Sequence, residues 1–301
     1  MLGHKLIQTM APNFDTWATV RGSFDDVAYT SIFDRDRTVE RTDVRDYDSL
    51  EAKIASISPD VVINAVGVTK QVPAYKDPAE LITINSILPH KLAELGAKYG
   101  YRLILISTDC VFSGRSGNYN EAHPADATDL YGRSKLLGEV AEKNCLTIRT
   151  SIIGRELMSS NSLTEWFLSR PKGEVPGFSR AIYTGFPTVV FSEIVADILI
   201  DHPNLNGVVH ISSDPISKYD LLIAMNSEFG VGHKIASDDR IAVDRSLDSS
   251  RFRELTGFRP MPWHEMVHRM VSDPTPYPDI RNRKGHEGPR AEIRSNVVTN
   301  A

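Results

Sequence analysis

Tyr131 and Lys135 stand four residues apart in the run YGRSK. Residues at this spacing share one face of a helix, so an ammonium can lie beneath a phenol and favour its deprotonated form. A tyrosine tuned in this way can pass a proton to a carbonyl oxygen near neutral pH. Tyrosine and lysine also occur at this spacing on solvent-exposed helix faces. The pair therefore indicates a catalytic site only if the neighbouring sequence supports one.

A second polar group precedes this pair. Ser107, Thr108 and Asp109 follow an apolar run that begins at Arg102. Hydride arriving at a ketone carbon builds negative charge on the oxygen, which then needs a proton donor and a second hydrogen-bond donor. We predict Tyr131 as the proton donor and Thr108 as the second donor. The alternative for Thr108 is a hydroxyl that caps a turn, and Asp109 either caps the same loop or contacts substrate.

The first half of the chain alternates short apolar runs with amphipathic stretches. This alternation predicts a parallel sheet with helices on both faces, and the ligand crevice of such a sheet lies beyond the carboxyl ends of the strands. The predicted strands are 15–20, 61–68, 102–107 and 146–150, and the predicted helices are 47–57, 78–99 and 129–143.

The second half is less regular, with helices predicted at 162–168, 192–200, 217–229 and 249–256 and strands near Ala181 and Val208. We expect a first domain over 1–150, a smaller substrate-binding lobe over 151–273 with some segments returning to the first domain, and a disordered tail over 274–301. His264 and His268 are four apart but have no partner at ligand spacing, so no metal site is predicted.

Bulk composition narrows the class of protein. The 301 residues are 41% hydrophobic and 24% charged, which is typical of a globular chain with a sizeable core. A net charge of −5 predicts no general attraction to nucleic acid, and no run approaches the length of a membrane span. Only two cysteines, Cys110 and Cys145, fit a reducing compartment, so we expect a cytoplasmic protein.

The amino terminus carries one further expectation. A dinucleotide-binding fold begins with a strand and a glycine-rich turn, whereas this sequence begins Met-Leu-Gly-His. We expect residues 4–10 to be the first turns of the helix after such a turn, with Gly3 as its last glycine and the first strand missing from the chain. The alternative is that Gly3 is an ordinary terminal residue.

Several separated motifs, taken together, resemble the dTDP-4-dehydrorhamnose reductase branch of the extended short-chain dehydrogenases. The resemblance rests on STDCVFSG, GNYNE, YGRSK, NAVG, the RTS at 149–151 and GFPT at 185–188. It implies a Rossmann-type doubly wound fold in which residues 1–150 bind NAD(P). It also implies reduction of the 4-keto group of a nucleotide-linked 6-deoxysugar, for polysaccharide sugar biosynthesis, by a monomer or homodimer. Lys135 would then hold the nicotinamide ribose hydroxyls.

The same resemblance implies a set of cofactor contacts. Asp43 and Val44 match the pair that meets the adenine ring in this superfamily. Small residues after a strand allow a cofactor to approach closely. Arg21 follows a predicted strand, where an arginine suits a 2′-phosphate, so we expect NADPH with NADH as the alternative. The predicted cofactor residues also include Gly3, Asn64, Ala65, Val66, Gly67, Tyr131 and Lys135.

A fixed cation is the simplest partner for a substrate diphosphate, and Arg149 and Arg180 are the predicted cations. Trp166 is predicted to stack on a nucleobase, with core packing as its alternative. Asp109 completes the predicted substrate-binding set.

Two other functions remain open from the sequence. An epimerase or dehydratase of the same superfamily would use the same tyrosine and lysine, but dehydratases commonly carry an Asp-Glu pair where this chain has Asp109 and Cys110. The second alternative is a non-catalytic, reductase-like regulatory subunit.

Overall fold

The computed structural model describes residues 1–71 and 73–284 as a mixed α/β protein. In chain order the strands are β1 (Ala18–Thr19), β2 (Thr38–Val39), β3 (Val61–Asn64), β4 (Arg102–Ile106), β5 (Cys145–Arg149), β6 (Ile152–Ile153), β7 (Glu174–Tyr183), β8 (Phe186–Pro187), β9 (Gly207–His210), β10 (Ile216–Ser217) and β11 (Lys234–Asp244).

The α-helices follow the amphipathic stretches of the sequence. They are α1 (Leu2–Met10), α2 (Asp25–Ala28), α3 (Tyr47–Ile57), α4 (Pro78–Ile82), α5 (Leu88–Tyr99), α6 (Leu130–Leu137), α7 (Leu163–Leu168), α8 (Thr188–Asp201), α9 (Lys218–Glu228), α10 (Ser250–Thr256), α11 (Trp263–Val271) and α12 (Tyr277–Lys284). A π-helical turn, Thr83–Ile87, joins α4 to α5. Within the described ranges, no helix combines the length and apolarity that crossing a bilayer requires.

A four-stranded parallel sheet, ordered β3-β4-β5-β9, forms the centre of the fold. Alternate side chains of a strand face opposite sides, so Leu103 and Leu105 pack towards α3 and α5 while Ile104 packs towards α1 and α8. Burial of each such side chain contributes about 1.5–3 kcal/mol. Helices on both faces of a parallel sheet confirm the predicted α/β class.

A second, two-stranded parallel sheet pairs β1 with β2. In the common doubly wound order 3-2-1-4-5-6, the first strand lies between the second and the fourth. Among the described residues, no strand hydrogen-bonds to both β1 and β3. Gly3 lies in the first turn of α1, as expected, and a Cβ atom there would meet nothing within 4 Å. The absence of a first strand from this protein stays a prediction.

The later part of the chain builds a different sheet. The long strand β7 pairs with β11 in parallel and with β10 in the antiparallel direction. Helices α7, α9 and α11 pack on it through a core that includes Phe167, Met225 and Val267. Two later segments join the first sheet instead, since β9 pairs with β5 and α8 packs on α1. The domain boundary near residue 150 stays a prediction.

The predicted disordered tail is wrong for residues 274–284, whereas 285–301 lie outside the described ranges. Tyr277 is 2% exposed and Ile280 is 1% exposed. The Tyr277 hydroxyl is 2.9 Å from His4 Nε2, and Lys5 Nζ donates to Thr275 Oγ1 at 2.8 Å. The polar composition of this segment gave no sign of these contacts, because their partners lie on α1, at the opposite end of the sequence.

Lys5 and Asp273 form the buried ion pair of this contact, with side-chain exposures of 5% and 4%. Removing one partner of a buried pair leaves an uncompensated charge. We expect Asp273→Asn to lower the free energy of unfolding by about 3 kcal/mol, measured by urea denaturation. The exposed pair between Lys234 and Glu174 provides the control, and Glu174→Gln should change stability by less than about 0.5 kcal/mol. Equal effects of the two variants would contradict this account.

Candidate active site

The carboxyl end of β4 and the first turns of α6 meet at the predicted catalytic residues. Thr108 has an extended backbone and is the N-cap of a 3₁₀ turn, Asp109–Val111, where its hydroxyl oxygen accepts from Cys110 N at 3.1 Å. The same hydroxyl donates to Asp109 Oδ1 at 3.1 Å. The capping role considered for Thr108 is therefore present, and it holds the threonine beside Tyr131.

Burial controls the protonation of this site. Desolvation raises the pKa of Tyr131, the charge of Cys110 adds to the rise, and hydrogen bonding with Thr108 opposes it. Desolvation lowers the pKa of Lys135 to about 8, and the charge of Glu139 opposes that fall. That Lys135 lowers the pKa of the phenol stays a prediction, because desolvation is the largest influence on the pKa of Tyr131 here. Here the Lys135 ammonium donates to the Ile106 carbonyl at 2.8 Å.

Close backbone approach places α6 against the 3₁₀ turn. Asp129 is the N-cap of α6 and accepts from Gly132 N at 3.0 Å. A Cβ atom at Gly132 would lie 2.1 Å from the Cys110 carbonyl oxygen, so glycine is required at this point of YGRSK. Lys70, which sequence reasoning missed, pairs with Asp129 at 3.1 Å and lies 5.9 Å from the centroid of the Tyr131 ring.

The loop after β3 is tied to the same helix by Asn85. The Asn85 side chain accepts from Val68 N at 2.8 Å and donates to the Val68 carbonyl at 2.9 Å. It also donates to Ser134 Oγ at 3.1 Å, and Ser134 lies between the catalytic tyrosine and lysine. This contact brings the predicted NAVG segment to the edge of the sheet where Tyr131 lies.

Within that segment, three consecutive residues are open to solvent. Ala65, Val66 and Gly67 are exposed, with Val66 at 42%. Asn64 is buried, its Oδ1 accepts from Val66 N at 3.1 Å, and its Nδ2 has no hydrogen-bond partner among the described residues. An exposed loop of small residues with a free amide beneath it can receive a ligand at this edge.

Arg21, Asp43 and Val44 follow the two-stranded sheet. Arg45 binds Asp43 at 2.6 Å and holds its pKa well below the usual range, and the charge of Arg21 acts in the same direction. Val44 packs against the core near Leu50. The fold thus brings Arg21 close enough to Asp43 to influence its pKa, although the two residues are 22 positions apart in the sequence.

Asp109, which accepts from the Thr108 hydroxyl, is buried. Its pKa is raised by desolvation, and the charges of Arg245 and Lys218 oppose that rise. Neither cation was singled out from the sequence, because each lies more than a hundred residues further along the chain and only the tertiary fold brings it to the site.

The structure corrects one of the predicted substrate contacts, Arg149, and favours the packing alternative for Trp166. The guanidinium of Arg149 is buried and binds Glu139, with Nη2 to Oε2 at 2.7 Å, so those donors do not face a diphosphate. Trp166 is partly buried and packs against the core of the later sheet, and the Arg170 guanidinium lies 4.8 Å from its ring centroid. Arg180 is exposed on β7 and remains a candidate.

No group of three or more histidine, cysteine, aspartate or glutamate side chains suited to a metal ion occurs within residues 1–71 and 73–284.

The fold and this site together define an oxidoreductase of the short-chain dehydrogenase/reductase type. The chain belongs to the family of the RmlD substrate binding domain, whose model matches residues 1–275. It is 24% identical to dTDP-4-dehydrorhamnose reductase of Aggregatibacter actinomycetemcomitans over 250 residues, which is 75% of this chain and 85% of that protein. It is 25% identical to methionine adenosyltransferase 2 subunit beta of Xenopus tropicalis over 250 residues, covering 76% and 68%.

Among solved structures, the fold is similar to that of dTDP-4-dehydrorhamnose reductase from Bacillus anthracis in complex with NADP. The TM-score is 0.70 at 20% identity, covering 86% of this chain and 99% of that chain. At this identity the likeness concerns the fold.

The cysteines yield a prediction that follows from burial. Desolvation raises the pKa of Cys110 to about 12, with Asp109 adding to the rise, and burial also raises the pKa of Cys145. Because the thiolate is the reactive form, we expect neither cysteine to react with iodoacetamide at pH 8 in the native protein. Intact-mass measurement should show both modified after denaturation. Rapid native labelling of Cys110 would show that the turn after Thr108 opens.

Proposed function

We propose that this protein reduces the 4-keto group of a nucleotide-linked 6-deoxysugar, using NADPH with NADH as the alternative donor. The observation that carries the proposal is the meeting of Thr108 and Tyr131 at the carboxyl end of β4, with Lys135 one helical turn along α6. The family match over residues 1–275 supports it.

The protonation of the site suits reduction. The cofactor, when bound, supplies hydride to the carbonyl carbon. Charge then builds on the carbonyl oxygen, and the raised pKa of Tyr131 keeps the phenol protonated and able to donate. Thr108 would supply the second hydrogen bond to that oxygen. Lys135 has three N–H donors, so it would bind the ribose hydroxyls of the cofactor while it keeps its bond to the Ile106 carbonyl.

The cofactor would lie along the strand ends. Ala65, Val66 and Gly67 present an open surface, and the unpaired Nδ2 of Asn64 is a donor without a partner beneath it. Gly3 would face the diphosphate from the first turn of α1, because helix amino termini favour anions. These contacts fit a dinucleotide.

The remaining proposed contacts are with the adenosine end of the cofactor and with the substrate. Arg21, Asp43 and Val44 would meet the adenosine end of the cofactor, and the proximity of Arg21 favours a 2′-phosphate. Asp109 and the exposed Arg180 are the proposed substrate contacts.

The central test follows NADPH consumption with a dTDP-linked 4-keto-6-deoxysugar. Tyr131→Phe removes the proton donor and keeps the ring, so we expect kcat to fall by about 10²–10⁴-fold with NADPH affinity retained. Tyr99→Phe on the exposed end of α5 is the matched control and should leave turnover unchanged. Full activity of Tyr131→Phe would refute the assigned role.

Cofactor preference provides an independent test. Arg21→Ser should raise the Kd for NADPH about tenfold or more, since a charge-assisted hydrogen bond contributes about 1.5–3 kcal/mol, and should leave the Kd for NADH unchanged. Fluorescence titration measures both constants. Arg259→Ser, in the exposed loop between α10 and α11, is the control. An equal loss of affinity for NADPH and NADH would show that Arg21 does not contact the 2′-phosphate.

The same assays separate the alternatives. An epimerase or dehydratase would convert substrate without net consumption of NADPH. A regulatory subunit is favoured by the likeness to methionine adenosyltransferase 2 subunit beta, and such a protein would bind NADPH without turning over any sugar. Stoichiometric NADPH oxidation therefore distinguishes reduction from both.

A further inference from the structure

Glu139 connects the helix of the catalytic pair to the strand of the catalytic threonine. Ser107 Oγ donates to Glu139 Oε1 at 2.6 Å, and Lys135 Nζ donates to the Ile106 carbonyl at 2.8 Å. Side chains one turn apart thus hold consecutive residues of the chain, Ile106 and Ser107, immediately before Thr108. The Glu139 side chain is 6% exposed, so water competes little for these bonds.

The local backbone explains how Glu139 reaches this position. Helix α6 ends at Leu137, short of the predicted residue 143, and Gly138 is its C-cap. A Cβ atom at Gly138 would lie 2.0 Å from the Asn85 carbonyl oxygen, so only glycine permits this approach. The Glu139 amide then donates to the Leu136 carbonyl at 3.1 Å, and its side chain turns inward.

Arg149 balances the carboxylate from β5. Its Nε donates to Glu139 Oε1 at 2.9 Å, and its Nη1 lies 3.2 Å from His210 Nε2. Burial lowers the pKa of His210, and His210 Nδ1 lies 2.9 Å from the Tyr119 carbonyl oxygen. A carbonyl only accepts, so the neutral ring carries its proton on Nδ1 and accepts from Arg149 through Nε2.

We propose that Glu139 is a positioning residue for the reduction, which fixes Thr108 relative to α6 and provides the buried negative charge that keeps Lys135 cationic. The inference rests on the proposed function for its catalytic meaning. The ammonium of Lys135 is buried beside apolar strands, and burial alone would favour its neutral form. The opposing effect of Glu139 on the pKa of Lys135 agrees with this role.

The charged and titratable groups around Glu139 define the test. They are Lys135 on α6, Arg149 on β5, His210 on β9 and, beyond His210, Glu121. Glu139→Gln keeps the shape and can still accept from Ser107, but it removes the charge. The pKa of Lys135 should then fall below about 8, so its ammonium is lost at a lower pH.

Competitive labelling with acetic anhydride measures the Lys135 titration in the cofactor-free protein, with peptides quantified by mass spectrometry. We expect the midpoint to fall by about one pH unit in Glu139→Gln. Glu139→Asp, which keeps the charge, should retain the parental midpoint, and Glu142→Gln, which changes an exposed carboxylate after α6, should not alter it. An unchanged midpoint in Glu139→Gln overturns the proposal.

In Glu139→Gln, Arg149 loses its partner, and repulsion between Arg149 and Lys135 could by itself lower the midpoint. The double variant Glu139→Gln/Arg149→Gln tests this explanation. If the double variant regains the parental midpoint, Glu139 serves only Arg149 and the charge role is refuted; a midpoint that stays low supports it. Ser107→Ala removes the tether alone and should lower kcat without moving the midpoint. Because labelling needs neither cofactor nor substrate, its outcome is independent of whether the proposed reduction is found.

Discussion

The contact between α6 and the end of β4 is the constraint on which the rest of the site depends. Tyr131 and Lys135 belong to one element and Thr108 to another, so the proposed catalysis requires these two elements to keep a fixed separation. Two glycines permit that separation. Gly132 allows the first turn of α6 to lie against the Cys110 carbonyl, and Gly138 allows its last turn to lie against the Asn85 carbonyl. A Cβ at Gly132 would push α6 away from the turn after β4, and a Cβ at Gly138 would push it away from the π-helical turn that contains Asn85.

Burial at this contact has opposite consequences for its two titratable groups. It raises the pKa of the Tyr131 phenol and lowers the pKa of the Lys135 ammonium, since low polarity disfavours both charged forms. A reductase needs the phenol protonated, so the first effect helps. It also needs a cation beneath the cofactor ribose, so the second effect must be opposed. The carboxylate of Glu139 is the negative charge placed to oppose it, and Arg149 prevents that carboxylate from being an unbalanced buried charge.

The sequence predicted the parallel sheet, and it predicted that Thr108 and Tyr131 lie close together, because both depend on short-range patterns. Helix 47–57 was predicted with its observed bounds, and its N-cap Asp46 accepts from Ser49 N at 3.1 Å. Contacts between residues far apart in the sequence could not be predicted in this way. Arg149 was predicted to bind a phosphate, but the fold places Glu139 against it. Trp166 was predicted to stack on a nucleobase, but it is partly buried against the core of the later sheet. The sequence shows that a charged or aromatic side chain is present, but it does not show which other side chain of the protein that residue already contacts.

The C-terminal segment illustrates the same limit from the side of stability. Residues 274–284 carry few apolar side chains, yet Tyr277 and Ile280 are buried and Arg281 binds Glu165. Arg155 also binds Glu165, at 2.6 Å, so one buried carboxylate serves two arginines from distant parts of the chain. This group of charges has no local signature in the sequence, because its members come together only after folding. A separate contact, between Tyr277 and His4, places α12, which lies beyond the family match at residue 275, against α1.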